Sequence, residues 1–312
     1  MQIQIQPGKL KRLMLSLSAI IIAIVLLFSF MANQTQAKSL TMGAIALTVR
    51  DLKTMQEFYQ NQVGLEVISE QQDQVVMGSK GQPIIRLYAS ADLEIPSTRE
   101  AGLYHSAIVF PTRSRLAQAI NRILTTSPDK YQGSADHTAT EAFYFADPEG
   151  NGVELYFDRP RSEWVYQDGK PVLGSTYINE RTYLATHINT TDTAEATKMG
   201  HVHLRVGDIE RARKFYAQTL MFDVMNSSTD SLFIARDGYH HHIGMNTWQS
   251  IGAGFRDKSK YGLRYFEINY TDAAIFERIK QNLRSENINF ELSGNTIRTA
   301  DPWNNRLELH FK

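Results

Sequence analysis

The stretch Leu47-Thr-Val-Arg-Asp51-Leu-Lys-Thr-Met-Gln-Glu-Phe58-Tyr59 recurs as Leu204-Arg-Val-Gly-Asp208-Ile-Glu-Arg-Ala-Arg-Lys-Phe215-Tyr216. Each copy reads as a short alternating strand, an Asp able to cap, and an amphipathic helix ending in Phe-Tyr. A second pair follows the same logic. Gly102-Leu-Tyr-His105-Ser-Ala-Ile-Val and Gly262-Leu-Arg-Tyr265-Phe-Glu-Ile-Asn each lead into a helix, and each closes at Asp147-Pro148…Glu154 or Asp301-Pro302…Glu308. The repeats divide the chain into four βαβββ units, at about 42–90, 102–158, 199–247 and 261–312. The expected fold class is α+β, with a first domain at 42–158 (units one and two) and a second at 199–312 (units three and four). Residues 159–198, carrying Pro160, Gly169, Pro171 and Gly174, read as the connection between the halves.

Charge narrows the function. The 312 residues hold 33 basic and 33 acidic side chains, with no basic run beyond the N-terminus, so a nucleic-acid partner is excluded and a small molecule is expected. Zero cysteines remove disulfides, thiolate nucleophiles and Cys-ligated clusters. At the N-terminus Lys9, Lys11 and Arg12 precede an apolar run from Leu13 to Met31, with the small Ala37 beyond it. That layout reads as a signal peptide or signal anchor over 1–37, which would place the globular part outside the cytoplasm, exported or held at the inner membrane facing outward.

The most chemical stretch is His137-Thr-Ala-Thr-Glu-Ala-Phe-Tyr144-Phe-Ala-Asp147-Pro148-Glu-Gly150-Asn-Gly-Val-Glu154. It reads as a strand carrying Tyr144, a reversal at Asp147–Gly152 and a returning strand carrying Glu154. A His, a spacer, an apolar residue and Tyr, then Asp-Pro-x-Gly and Glu, resembles the pattern of the extradiol ring-cleavage dioxygenases of the vicinal oxygen chelate superfamily. Ala135, two before the His, departs mildly from it. The four units resemble that superfamily's fold throughout 42–312. Gly-Leu-Tyr-His, Asp-Pro-x-Gly-Asn-Gly-x-Glu, Gly-His-x-His-Leu and Gly-Tyr-His-His-His-Ile-Gly are similar to its two-domain catechol 2,3-dioxygenase type of bacilli.

In that fold, metal ligands come from the first and last strands of paired units. The first-strand positions hold Ala44, His105, His201 and Tyr265; the last strands offer Glu154, the histidines 240–242 and Glu308. Two His and one carboxylate with open positions suit non-haem Fe(II), which binds a catecholate and O2 together. The expected ligands are therefore His105, Glu154 and His201, which meet only if unit two pairs with unit three. His203, two residues along the same strand face, is an alternative to His201. A triad of His201 and Glu308 lacks a second first-strand His. Unit four also has Glu291 and Arg298 where unit two has His137 and Tyr144, so it reads as degenerate.

Gly238–Asn246 is expected to be one strand, on which His240, His241 and His242 alternate in direction. Three consecutive imidazoles are costly as packing unless partnered, and a surface His patch is the plain reading. The resemblance implies that His241 is the acid–base residue, with His240 or His242 taking its place if the opposite face looks inward. His242 is also a candidate fourth ligand. The resemblance further implies that His137 and Tyr144 hydrogen-bond the substrate, a neutral imidazole being able to take a proton from a catechol.

The expected activity is extradiol cleavage of a catechol-type aromatic by Fe(II) and O2, with no organic cofactor. Two rivals share the fold. One is a glyoxalase-like lyase or isomerase with four ligands to Ni, Zn or Mn; the other is a non-enzymatic small-molecule-binding protein. Tyr104, Trp164 and Trp248 are candidates for the pocket wall. A homo-oligomer stays open.

Overall fold

The computed structural model describes residues 38–90, 92–189, 195–257 and 259–312. Residues 39–312 form one compact unit.

Unit one contains β1 (Leu40–Val49), α1 (Leu52–Glu57), β2 (Glu66–Gln71), β3 (Gln74–Ser79) and β4 (Gln82–Ala89). Unit two contains β5 (Gly102–Phe110), α2 (Arg113–Thr126), β6 (Tyr131–Asp136), β7 (Thr140–Ala146) and β8 (Gly152–Asp158). The connection adds the small ribbon β9 (Tyr166–Gln167) and β10 (Lys170–Pro171), and α3 (Glu180–His187). Unit three contains β11 (Lys198–Arg205), α4 (Ile209–Arg213), β12 (Asp223–Ser227), β13 (Ser231–Ala235) and β14 (Ile243–Asn246). Unit four contains β15 (Gly262–Tyr270), α5 (Ala273–Ser285), β16 (Phe290–Ser293), β17 (Thr296–Ala300) and β18 (Arg306–Phe311).

The duplicated helices begin alike because Asp51 accepts from Thr54 N at 3.0 Å and Asp208 from Arg211 N at 2.6 Å, so each Asp caps its helix. Both helices then widen into a π turn, Phe58–Val63 and Lys214–Thr219, which buries Phe58 with Tyr59 and Phe215 with Tyr216. The longer helices bury one stripe each, Leu116, Ile120 and Ile123 on α2 and Phe276, Ile279 and Leu283 on α5.

The strands form two eight-stranded mixed sheets. One runs β12-β13-β14-β11-β5-β8-β7-β6 and the other β16-β17-β18-β15-β1-β4-β3-β2. Unit two thus pairs with unit three, as the ligand set requires, and unit one pairs with unit four. Each sheet draws on both halves, so the sequential partition at 42–158 and 199–312 does not coincide with the sheets. First strands pair antiparallel at each centre, β5 with β11 and β1 with β15. One apolar cluster links the two sheets, from Leu47 and Ile85 to Ile108 and Leu204.

Two expectations are corrected. Among the described residues no helix is long and apolar enough to cross a membrane, and the exported or membrane-anchored location is withdrawn. The 1–37 segment that carried it lies outside the described residues. The expected strand Gly238–Asn246 is shorter, because Asp237 (φ 57°) and Gly238 (φ 62°) are consecutive left-handed residues that turn the chain. His240, His241 and His242 therefore lie in the turn leading into β14, where strict alternation does not apply.

Candidate metal centre

Sheet register assembles the site. Glu154 on β8 pairs with Ala107 on β5, and Ala107 pairs with His201 on β11, so a carboxylate and an imidazole flank a methyl group in one row. His105 lies two residues along β5, paired with Gly152 on one side and His203 on the other. A side chain at 152 has no room, since a Cβ there would stand 2.2 Å from Tyr104 O and 2.9 Å from His105 Cβ. Gly244, beside His203, is equally constrained: its Cβ would meet His203 Nδ1 at 2.9 Å.

The ligand atoms of His105, Glu154 and His201 all lie within 4.8 Å of one another, and all three residues are buried. Glu154 Oε2 is 2.9 Å from His105 Nε2 and 3.1 Å from His201 Nε2. The first contact is short but lacks hydrogen-bond direction, leaving the buried His105 Nε2 without a hydrogen-bond partner. Two imidazole nitrogens converge on one carboxylate oxygen, only His201 Nε2 being hydrogen-bonded to it, and such a buried donor set is one that a divalent cation satisfies. The residues present therefore fit a metal.

Electrostatics agree with that fit. Burial alone would raise the Glu154 carboxyl, but His201 and His105 outweigh it and hold the group well below the usual carboxylate range. Burial pushes His201 down, with Glu154 opposing, so the imidazole favours the neutral form that can bind a metal.

The surrounding groups are fixed by hydrogen bonds. His137 donates from Nδ1 to Gly174 O at 2.7 Å, which makes its Nε2 the acceptor for Tyr144 OH, also at 2.7 Å. Tyr144 pairs across the sheet with Glu154, and its ring centroid is 5.7 Å from that of His105. Burial and the Glu154 charge raise the Tyr144 hydroxyl well above its ordinary value, keeping it protonated.

His203 does not join these three residues. Its Nε2 meets Asn246 Nδ2 at 2.9 Å, and burial, with His105 and His201 adding to it, pushes the imidazole well down. His241 packs its ring 4.1 Å from that of His201, and burial first, then His201 and His240, lower it strongly. His242, the candidate fourth ligand, is held elsewhere: its Nδ1 accepts from Arg236 N at 3.2 Å and its ring lies 4.8 Å from Tyr239, and it is not among the three residues whose donor atoms converge. The His201–Glu308 alternative fails because the two residues lie in different sheets.

Of the expected wall residues, Tyr104 stacks near His105 and His203, and the half-exposed Trp248 closes on Tyr104 at 5.4 Å. Trp164 instead packs behind the site on His240 at 5.6 Å, with Nε1 donating to Arg159 O. Among the described residues, the corresponding face of the other sheet carries no matching set of two imidazoles and a carboxylate. Ala44 and Tyr265 replace the imidazoles, Glu267 fills the place of Ala107 and binds Arg86 at 2.9 Å, and Glu308 is tied to Arg298 at 2.9 Å.

Sequence reasoning missed the anchor from Gly174, the Asn246 contact and the chain through Asp158 and His240. None of these leaves a local mark, unlike the Gly-Asn-Gly spelling around residue 152, where glycine beside a first-strand histidine marks close approach.

Residues 41–155 match the Glyoxalase/Bleomycin resistance protein/Dioxygenase superfamily. The chain is 31% identical over 267 residues to the catechol-2,3-dioxygenase of Bacillus subtilis (strain 168), covering 83% of this chain and 93% of that protein. Among solved structures, a putative dioxygenase from Bacillus subtilis subsp. subtilis str. 168 superposes with a TM-score of 0.56 at 12% identity, over 88% of this chain and 86% of that one. Glyoxalase I from Zea mays gives 0.54 at 16% identity, over 88% and 93%. These two likenesses concern the fold, whereas the sequence relative carries the membership: the chain belongs to the glyoxalase, bleomycin resistance protein and dioxygenase superfamily, the vicinal oxygen chelate fold.

Proposed function

We propose that this protein cleaves the ring of a catechol-type aromatic beside its diol, using Fe(II) and O2. The observation that carries the reading is the buried convergence of His105, Glu154 and His201, a two-imidazole, one-carboxylate donor set on one face of one sheet. The relative named for catechol 2,3-dioxygenation supports it.

In this reading His105, Glu154 and His201 hold the iron, which supplies a common binding point for the diol and oxygen. The neutral His241 beside His201 takes a proton from the catechol hydroxyl and returns it later in the reaction. Tyr144 stays protonated, with its hydrogen directed to His137 Nε2, so its oxygen is oriented to accept from the substrate. The carbonyl of Gly174 keeps His137 in the tautomer that permits this. Tyr104 and Trp248, packed edge to face with ring centroids 5.4 Å apart, supply an aromatic wall for the substrate ring. A four-ligand lyase or isomerase site loses support, because His242 is engaged with Arg236 and Tyr239.

The test is anaerobic loading with Fe(II), addition of catechol and then air, and visible absorbance to follow a yellow ring-opened product. The product should form with the native protein and fail with His201→Ala. No product, combined with tight Ni²⁺, Zn²⁺ or Mn²⁺ binding and turnover without O2, would overturn the reading in favour of a lyase or isomerase.

A further inference from the structure

Behind His241 runs a hydrogen-bonded chain that ends at a partly buried carboxylate. Asp158 Oδ1 lies 2.9 Å from His240 Nε2, and His240 Nδ1 lies 2.9 Å from His241 Nδ1. Asp158 Oδ2 accepts from Tyr239 OH at 2.8 Å, and Tyr239 OH is 2.9 Å from Tyr156 OH. His240 is almost fully buried, with Tyr239 against its ring at 4.0 Å and Trp164 at 5.6 Å. The ring cannot turn without breaking both contacts.

Hydrogen-bond logic fixes the protons along this chain. An ionised carboxylate only accepts, so His240 Nε2 must carry a hydrogen. In neutral His240 the Nδ1 is then a lone pair, and the 2.9 Å contact requires His241 Nδ1 to be the donor. The Nε2 of neutral His241 is left as a lone pair, and no hydrogen bond engages it among the described residues. Free histidine prefers the opposite tautomer, with hydrogen on Nε2.

We propose that Asp158 and His240 are positioning residues that set His241 in the Nδ1–H tautomer, leaving its Nε2 unprotonated on a ring that packs against His201. The use made of that lone pair rests on the ring-cleavage reading; the proton placement does not. The arrangement resembles a triad in which a carboxylate orients one imidazole, here extended through a second imidazole before the reacting group is reached.

The test reads the protons directly. Metal-free protein labelled with ¹⁵N in histidine is examined by long-range ¹H–¹⁵N correlation at one slightly alkaline pH, with signals assigned through His240→Gln and His241→Gln. Native His241 should show hydrogen on Nδ1. Asp158→Leu, which removes the acceptor, should move it to Nε2, whereas Asp158→Asn, whose amide oxygen still accepts, should retain the native pattern. Tyr239→Phe should also retain it. A native His241 with hydrogen on Nε2, or a pattern unchanged in Asp158→Leu, would overturn the proposal.

As a second readout, iron-loaded Asp158→Leu should lose about 10–100-fold in kcat with little change in KM, and Asp158→Asn should recover most of it. Spectra that follow the expected pattern with no product from any variant would uphold the proton placement and overturn only the ring-cleavage reading.

Discussion

The hydroxyl of Tyr59 donates to Asp147 Oδ2 at 3.1 Å, joining the helix of unit one to the turn that precedes the Glu154 strand of unit two. The same joint is built again between Tyr216 and Asp301 at 3.0 Å. Each Asp also accepts from two backbone amides of its own turn and from the Asn four residues on, Asn151 or Asn305. The Phe-Tyr ending of the repeated helix and the Asp-Pro turn thus belong to one device, which holds neighbouring units together at both places.

Tyr59→Phe is expected to cost about 1–3 kcal/mol, the penalty of leaving a buried acceptor short of a donor. The cost should also depend on pH. Burial pushes Asp147 up to about 6, against the several hydrogen bonds that lower it. Because the folded value exceeds the unfolded one, its favourable contribution is full below the unfolded value and is lost as pH rises through about 6. Tyr59 supports the ionised form, so urea unfolding should show a larger loss at pH ~8 than at pH ~5. An equal loss at both would show that Asp147 does not change its charge between them.

Metal binding should register as stability. At Fe(II) a hundredfold above its dissociation constant, the native fold should gain about 2.7 kcal/mol. Chelation should reverse the gain, and His105→Ala or His201→Ala should abolish it. Anaerobic thermal melts with and without Fe(II) measure this, and a gain that persists in His201→Ala would place the metal elsewhere.

Gly152→Ala should damage the site although it changes no ligand. The added Cβ meets the carbonyl of Tyr104 and the Cβ of His105, of which the first is backbone and cannot swing aside. A cost of about 1–3 kcal/mol is expected from the forced backbone shift. Metal titration should show weakened binding in parallel, because the displaced strand carries His105. Native affinity in a folded Gly152→Ala protein would show that the sheet absorbs the methyl group.

Tyr144→Phe separates binding from chemistry. The variant leaves His105, Glu154 and His201 in place but strips His137 Nε2 of its donor. Metal affinity should stay within a few-fold of native, while kcat falls roughly 100-fold, the scale of a lost proton-handling group. Anaerobic metal titration beside steady-state kinetics distinguishes this from a tyrosine that merely fills space, for which both values would hold.

The four units and the convergence of His105, Glu154 and His201 were legible because both leave marks close together in the chain: a repeated strand, cap and helix for the first, and a turn flanked by His and Glu for the second. The pairing of unit two with unit three was legible only through the ligands, since His105 and Glu154 could meet His201 in no other way. The histidine run was misread as a strand because three apolar-flanked imidazoles match strand spacing, and Asp237-Gly238 was not recognised as a turn that redirects them. Asp158, Asn246 and Gly174 were beyond reach: their roles depend on side-chain directions and on a connection whose path no periodicity encodes.

The order of the strands also dictates an order of assembly. The sheet bearing the site is made from the middle of the chain, while its companion joins β1 to β15 and so waits for the last unit. During synthesis the first-made strands stand with an open edge until almost the whole chain has emerged, and the ligand-bearing sheet can zip before them. Such long-range closure is slow and leaves apolar strand edges exposed meanwhile. A truncation after unit three would keep His105, Glu154 and His201 yet leave β1 without its partner β15, so the first unit made leans on the last.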